Sequence, residues 1–270
     1  MRYATNEKQC IGENMLNILL SGCFGKLSRA VIEYAETRGD VRILAGIDPT
    51  KTCKTLPFPV FAAPAEVRGL KPDVIIDCSL PKALPALLGY ATAVQIPMVI
   101  ATTGYGEEEF ALIEKAAKQV AILQSGNMSL GIFLLKELAR QAAQVLGESF
   151  DIEIIEAHHN QKIDAPSGTA YMLADAVNDG LSEPHAFAYE RQSKTEPRKK
   201  NEIGMHAVRG GTITGEHTVL FAGFDEVIEL THRAYSKAIF AAGCISAARF
   251  MAGKPAGRYR MDDIVNPCSQ

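Results

Sequence analysis

The sequence predicts an α/β protein in two parts: a doubly wound parallel sheet first, then an α+β portion with a mixed, antiparallel-rich sheet. Three observations carry this. From Leu16 to Met128, short apolar and β-branched runs alternate with helical patterns, the order that a parallel sheet with covered faces requires. After Leu146 the strand-like runs lengthen, alternate in polarity and are punctuated by glycine-containing turns. With 270 residues, 47% hydrophobic and 22% charged, the chain can bury one large core or two ordinary ones.

The elements follow in order. Leu16 to Leu20 reads as a buried strand, S-G-C-F-G-K-L-S as a glycine-rich turn, and the pattern to about Thr37 as a helix. V-R-I-L-A-G-I-D is the second strand, ending at Asp48. Pro57 to Phe61 reads as a short strand and Ala65 to Leu70 as a short helix. D-V-I-I-D is a buried strand ending at Asp77, and Pro81 to Tyr90 a helix. Q-I-P-M-V-I-A-T-T-G is a strand emptying into a Thr-Thr-Gly loop. Glu107 to Gln119 is an amphipathic helix with an acidic first turn, which suits the helix dipole. V-A-I-L-Q-S-G-N-M-S closes this sheet. Ser129 to Leu146 is a long helix leaving the first domain, and D-I-E-I-I-E a strand. Leu181 to Asn201 is a polar, basic excursion. Three strand-like runs follow, with Gly210-Gly211 and Gly223-Phe224-Asp225 as hairpin turns, and an alanine-rich helix from about Ser236 to Met251 returns to the first domain. The domain bounds read from this are an arm at 1–14, a first domain at 15–128, a second at 129–236, and a returning helix and tail at 237–270.

The net charge of −3 gives no electrostatic case for nucleic acid. Six cysteines without C-x-x-C spacing argue against zinc and against a disulfide framework, and fit a reducing cytoplasm. No apolar run reaches membrane-spanning length. Residues 1–14 are polar, with no signal-peptide core, and read as an extra arm; Met15 is an alternative start.

Strand, glycine turn, helix is the opening of a Rossmann-type dinucleotide-binding unit. Its spacing here is G-x-x-G-x-x-S, with Gly22 for the tight turn, Gly25 for approach to a pyrophosphate, and Ser28 where a third glycine would fall. Asp48, 26 residues after Gly22, suits the ribose hydroxyls. Lys51 beside it suits a 2′-phosphate, so both NADH and NADPH stay open. Gly22, Asp48, Ser79, Thr102, Thr103 and Asn127 all fall at strand ends, the ligand side of such a sheet.

The densest chemistry is E-A-H-H-N-Q-K-I-D-A-P-S-G-T, Glu156 to Thr169, between a strand and a helix. Ser167 is a natural N-cap, and the first-turn N–H groups at Gly168 and Thr169 make an anion site. His158, His159 and Lys162 add proton-carrying or cationic groups, so the stretch suits a carboxylate or phosphate and proton transfer. A loop needs none of these three to fold. His206, His217 and His232, in strand-like runs, are expected to be structural.

The same stretch resembles the signature of the 4-hydroxy-tetrahydrodipicolinate (dihydrodipicolinate) reductase family, bacterial and plant enzymes of lysine biosynthesis by the diaminopimelate route. A-T-T-G-Y, S-G-N-M-S, V-R-G-G-T-I-T-G-E-H-T-V and T-H-R-A-Y-S-K-A-I-F-A-A-G are similar to other segments of that family. Ser28, Ala101, Asn160, Gln161 and Lys237 depart from its usual pattern. The resemblance implies an NADH- or NADPH-dependent oxidoreductase, cytoplasmic and homotetrameric through its second-domain sheets, with no metal. It implies proton transfer by His158 and Lys162, and binding of the substrate carboxylates by His159, Ser167, Gly168 and Thr169. It implies a cofactor lined by Gly22, Cys23, Phe24, Gly25, Lys26 and Leu27, by Asp48, by Ala101, Thr102 and Thr103, and by Ser125, Gly126, Asn127 and Met128. Two rival readings remain from the residues alone: another two-domain oxidoreductase acting on an amino acid or semialdehyde, and a non-catalytic cofactor sensor.

Overall fold

A computed structural model describes residues 15–50, 55–147 and 149–265. The arm at 1–14 and Lys51 lie outside the described residues. The first strand, β1 (Leu16–Ser21), feeds α1 (Lys26–Glu36), then β2 (Val41–Ile47) and the two-residue β3 (Val60–Phe61). β4 (Val74–Asp77), α2 (Leu84–Val94), β5 (Met98–Ile100), α3 (Glu107–Ala117) and β6 (Ala121–Gln124) follow. Ile18, Leu19, Leu20, Ile75, Ile76, Val99, Ile100 and Ile122 are wholly buried. Consecutive buried residues mean that both faces of the sheet are covered, which is why these strands read as continuous apolar runs. α3 begins with Glu107, Glu108 and Glu109, and Glu109 reaches back to accept from the Gly106 N–H at 2.8 Å.

α4 (Leu130–Leu146) opens the second part of the chain, followed by β7 (Asp151–His158), α5 (Gly168–Gly180), β8 (Ala186–Ala188), β9 (Glu202–Arg209), β10 (Gly215–Ala222) and β11 (Val227–Ala234). α6 (Ala238–Met251) and β12 (Gly257–Tyr259) come last, before a short final turn of helix. The described chain divides into two compact units. One holds the residues up to Met128 with Phe240–Ile264, the other Ser129–Ile239.

The first unit is a seven-stranded parallel sheet in the order β12-β6-β5-β4-β1-β2-β3. The order reverses between β1 and β4, and a ligand crevice opens at such a switch point. The sequence expectation that β6 closes this sheet is corrected: β12 pairs beyond it, Gly257 to Ala121 through Tyr259 to Leu123. Three residues show no periodicity, so this strand was not visible. Arg258 pins it, donating to Glu114 and Gln124, each at 3.0 Å. The short helix expected at Ala65–Leu70 is a single 3₁₀ turn, Pro64–Glu66. α6 packs its Gly243 on Met128, where an added Cβ would lie 1.6 Å from the carbonyl oxygen.

The second unit has a five-stranded mixed sheet, β11-β10-β7-β9-β8. β7 runs parallel to β9 and antiparallel to β10. Gly210-Gly211 is therefore not a hairpin turn, contrary to the sequence expectation, because β7 inserts between the strands it joins. Gly223–Asp225 does join a hairpin, β10 to β11. One face buries Ile152, Ile154, Ile203, Met205, Val219 and Phe221 against α4 and α5. The opposite face leaves Ile155, Val208 and Val227 exposed. The polar excursion at Leu181–Asn201 contains β8 and is tied down by Arg191 and Arg198, which pair with Glu153, Glu202 and Asp151. Among the described residues, no helix is long and apolar enough to cross a membrane.

Candidate active site

The dinucleotide end is built from backbone. Gly22 sits at φ +70°, and a Cβ there would lie 2.7 Å from the Cys78 carbonyl oxygen and the Ser79 Cα. Only glycine fits both the conformation and the space. Gly25 caps α1, and no side chain bonds the helix start. The first-turn N–H groups are thus left to a ligand anion. A cleft of about 690 Å³ opens there, lined by Gly22, Phe24, Gly25, Asp48, Ser79 and Leu80 among others. Asp48 accepts from the Phe24 N–H at 3.2 Å and the Thr50 N–H at 2.9 Å, which fixes its carboxylate on the cleft wall. These features fit a dinucleotide: a glycine turn for the pyrophosphate and an acidic side chain for a ribose.

Other predicted cofactor residues are placed differently. The Cys23 side chain is buried against Gly46, and its thiol is pushed up to about 11 by burial and then by Asp48. Lys26 and Leu27 open α1. Ser28 is wholly buried, so its small size serves packing. Ala101 to Thr103 and Ser125 to Asn127 form two touching loops, with a Cβ on Gly126 falling 3.8 Å from Thr103. Ser125 donates to the Asn127 carbonyl at 2.5 Å. Met128 is buried. Sequence reasoning did not single out Asp77. This wholly buried carboxylate accepts from Ser79 Oγ at 2.5 Å, the Ser79 N–H at 3.1 Å and Thr102 Oγ1 at 2.9 Å. It thereby ties the loop after β4 to the loop after β5.

The second site is built from side chains. β7 runs Ile152, Ile154, Glu156, His158 along its inward face, so strand alternation carries the apolar core straight into a carboxylate and an imidazole. Glu156 is 1% exposed. Its Oε2 accepts from His158 Nδ1 at 2.5 Å and Arg209 Nη1 at 2.8 Å; its Oε1 accepts from Arg209 Nη2 at 2.7 Å and the Ser167 N–H at 3.1 Å. Burial opposes the charge on Glu156, but the bonds from Arg209 and His158 outweigh it and hold the carboxyl below its usual range. Arg209 also donates to the Asp164 carbonyl at 2.6 Å, anchoring the loop that carries Lys162. Lys162 Nζ pairs with Asp164 at 2.8 Å.

Burial lowers the pKa of His158; Glu156 opposes this and the charges of Lys162 and Arg209 add to it. His159, half-buried, follows β7, and its carbonyl accepts from the Lys162 N–H at 3.1 Å. Ser167 caps α5, accepting from the Ala170 N–H at 3.2 Å. It is buried with its hydroxyl 3.0 Å from His217 Nε2, so it supports the helix start from behind. Gly168 is exposed, with open space where a Cβ would be. His217, expected to be structural, packs edge-on against His158 with ring centroids 5.1 Å apart. Burial, then the neighbouring His158, push it down to about 4. His206 pairs with Glu153 on the other sheet face, and His232 lies 3.4 Å from Ser129 Oγ. Glu156 and Arg209 carry no assigned role in the sequence reading, and His217 reads there as structural. The available signal was their parity: each falls in a strand, and Glu156 and His217 take inward positions otherwise filled by Ile, Val and Phe.

His158 and Lys162, close enough for the charge of one to act on the other, lie in the stretch that leads from β7 into α5, in a chain that also holds a cleft fitting a dinucleotide. The class is an NAD(P)H-dependent oxidoreductase built of two compact units. The family model described as "Dihydrodipicolinate reductase, N-terminus" matches residues 16–128, and "Dihydrodipicolinate reductase, C-terminus" matches 131–265. The chain belongs to the dihydrodipicolinate reductase family. It is 49% identical over 251 residues to the 4-hydroxy-tetrahydrodipicolinate reductase of Caldanaerobacter subterraneus subsp. tengcongensis, covering 93% of this chain and 98% of that one. With the Clostridium tetani enzyme of the same name it shares 44% over 252 residues, again 93% and 98% of the two chains. The dipicolinate-bound dihydrodipicolinate reductase from Paenisporosarcina sp. TG-14 superposes with a TM-score of 0.77 at 22% identity, covering 91% and 97%, which shows the fold.

Proposed function

We infer that the chain reduces 4-hydroxy-tetrahydrodipicolinate, by way of dihydrodipicolinate, to tetrahydrodipicolinate in the diaminopimelate route to lysine, using NADH or NADPH. What supports this most is the stretch leading into the α5 start, where His158 and Lys162 lie close enough for the charge of one to act on the other, in a chain of this family. A bound reduced nicotinamide supplies hydride, here to C4 of a ring whose imine is conjugated to that position. Gly22, Gly25 and the α1 start would hold its pyrophosphate, and Asp48 a ribose. The chain's own groups do the rest. The N–H groups opening α5, with His159, hold the ring carboxylates. Lys162 and His158 supply the proton that the reduced ring needs, a contribution worth roughly 10²–10⁴-fold.

The exposed apolar residues on the second sheet, Ile155, Val208 and Val227, support self-association, and we assign a homotetramer through that face. Cys23, Cys78 and Cys244 are free thiols, in keeping with a cytoplasmic protein. An amino-acid or semialdehyde oxidoreductase would leave the two-histidine, one-lysine loop unexplained, and a cofactor sensor would not need it.

The test is a coupled assay with freshly made ring substrate, run with each nicotinamide and against a panel of amino acids. Oxidation of the cofactor with the ring dicarboxylate alone is expected. Turnover of an amino acid, and none of the ring, would overturn the reading. Sedimentation of the purified protein as a monomer would overturn the tetramer.

A further inference from the structure

Glu156 is surrounded by donors alone. Four reach its two oxygens: His158 Nδ1, both terminal nitrogens of Arg209, and the Ser167 N–H. A proton on this carboxyl would face one of them, so the group is ionised, and the His158 nitrogen 2.5 Å away must carry hydrogen. That leaves Nε2 as the only ring position where a proton can come and go. Nε2 faces Gly215, at the start of the neighbouring strand β10, where an added Cβ would lie 3.2 Å from it. A side chain there would crowd the one working nitrogen.

We propose that Glu156 and Arg209 are a positioning pair for His158: Glu156 holds the ring with Nδ1–H inward and Nε2 outward, and Arg209 keeps that carboxylate ionised and in register. This rests on the reading of His158 as a proton carrier. The charged and titratable groups facing His158 are Glu156 on its own strand, Lys162 in the following loop, Arg209 on β9 and His217 on β10; Asp164 acts on Lys162 and Arg209. Glu156 is the anion in contact with the ring, and Arg209 is the cation that shares it. Removing one or the other must therefore move the imidazole in opposite directions. Loss of the carboxylate makes His158 a weaker base; loss of the guanidinium makes it a stronger one.

The experiment is the pH dependence of kcat and kcat/KM for the full-length enzyme and four variants. His158→Gln identifies the limb that belongs to His158, by deleting it. In Glu156→Gln that limb is expected to move down by about one pH unit or more, and in Arg209→Met to move up. Gly215→Ala is expected to lower kcat with the limb in place. Packing roles alone would lower activity in both charge variants and leave the limb where it is, which overturns the positioning pair. Persistence of every limb in His158→Gln would instead overturn the reading of His158 itself. Ring ¹⁵N NMR of the unsubstituted protein gives a second check that needs no variant. A neutral His158 protonated on Nδ1 is expected, and one protonated on Nε2 refutes the proposal.

Discussion

At the start of α1 no side chain bonds the helix, whereas at the start of α5 the Ser167 hydroxyl accepts from Ala170 and a buried carboxylate accepts from the Ser167 N–H itself. Both starts suit an anion, but the means differ. α1 does it by omission: Gly22 and Gly25 clear space and leave backbone donors exposed. α5 does it by convergence: Glu156, His158, Lys162, Arg209 and His217 come from three strands and a loop. All six histidines of the chain lie between 158 and 232, so its imidazoles are confined to the second unit. A site made of backbone can hold charge without titrating, and a site made of imidazoles and carboxylates can move a proton. The two starts should therefore fail in different ways.

The largest failure is expected from Lys162→Ala. It removes the ammonium proposed as proton donor and changes no residue of the first unit. kcat should fall at least ~10²-fold, the low end for lost general acid help, with the dissociation constant for NADH near normal. Unchanged kcat, with fluorescence titration showing intact cofactor binding, would remove Lys162 from the chemistry.

Next comes acid sensitivity on the α5 side. His217 titrates near 4 in the folded chain, against an ordinary value of 6.5. The unfolded chain therefore takes up a proton that the folded chain refuses. The stability is complete above about pH 6.5 and is lost as pH falls toward 4, by roughly 2–3 kcal/mol at pH 4.5. Urea unfolding at pH 7.5 and 4.5 should show a smaller loss in His217→Asn than in the parent. Equal losses would mean that the proton is taken up elsewhere.

On the α1 side the matching experiment adds an atom instead of removing a charge. Gly22→Ala forces a side chain into φ +70° and against the Cys78 carbonyl. The left-handed conformation alone costs about 1–2 kcal/mol. NADH affinity should fall roughly tenfold or more, and the pH dependence of kcat should stay put. A shifted pH profile would blur the division between the two starts.

The same contrast explains what could be read in advance. The glycine turn and Asp48 are legible because each does its work locally, through backbone shape or at a strand end. Strands β1, β4 and β5 are legible because burial on both faces writes them as unbroken apolar runs. β12 is not, since three residues carry no period, and the Gly210-Gly211 link looks like a hairpin until β7 is known to lie between its strands. In the second unit the run from His158 to Thr169 announces itself, but its supports do not. Arg209 and His217 are 53 and 61 residues beyond Glu156. Only the register of β7 with β9 and β10, Ala207 and His217 both opposite Glu156, brings them to it. Parity was the one local clue: Glu156 continues the inward series of Ile152 and Ile154, and His217 begins that of Val219 and Phe221. A polar residue on an inward position has to be answered by a partner from another strand.

Ser167→Ala is the smallest change and the closest test of the α5 arrangement. It removes the helix cap, which typically costs about 1 kcal/mol, and takes away the hydroxyl beside His217 Nε2. It leaves the Ser167 N–H on Glu156, because that bond is made by backbone. The carboxylate, and through it His158, should therefore keep its place. Melting should drop by a few degrees, with the pH limb of His158 unmoved and kcat reduced less than in Lys162→Ala. Had the hydroxyl itself been a main ligand of the substrate carboxylate, KM would instead rise sharply at unchanged melting temperature. An exposure of only 2% for Ser167 argues for the first outcome, since a hydroxyl enclosed by its own helix and a neighbouring imidazole serves an incoming carboxylate by holding the N–H groups in front of it.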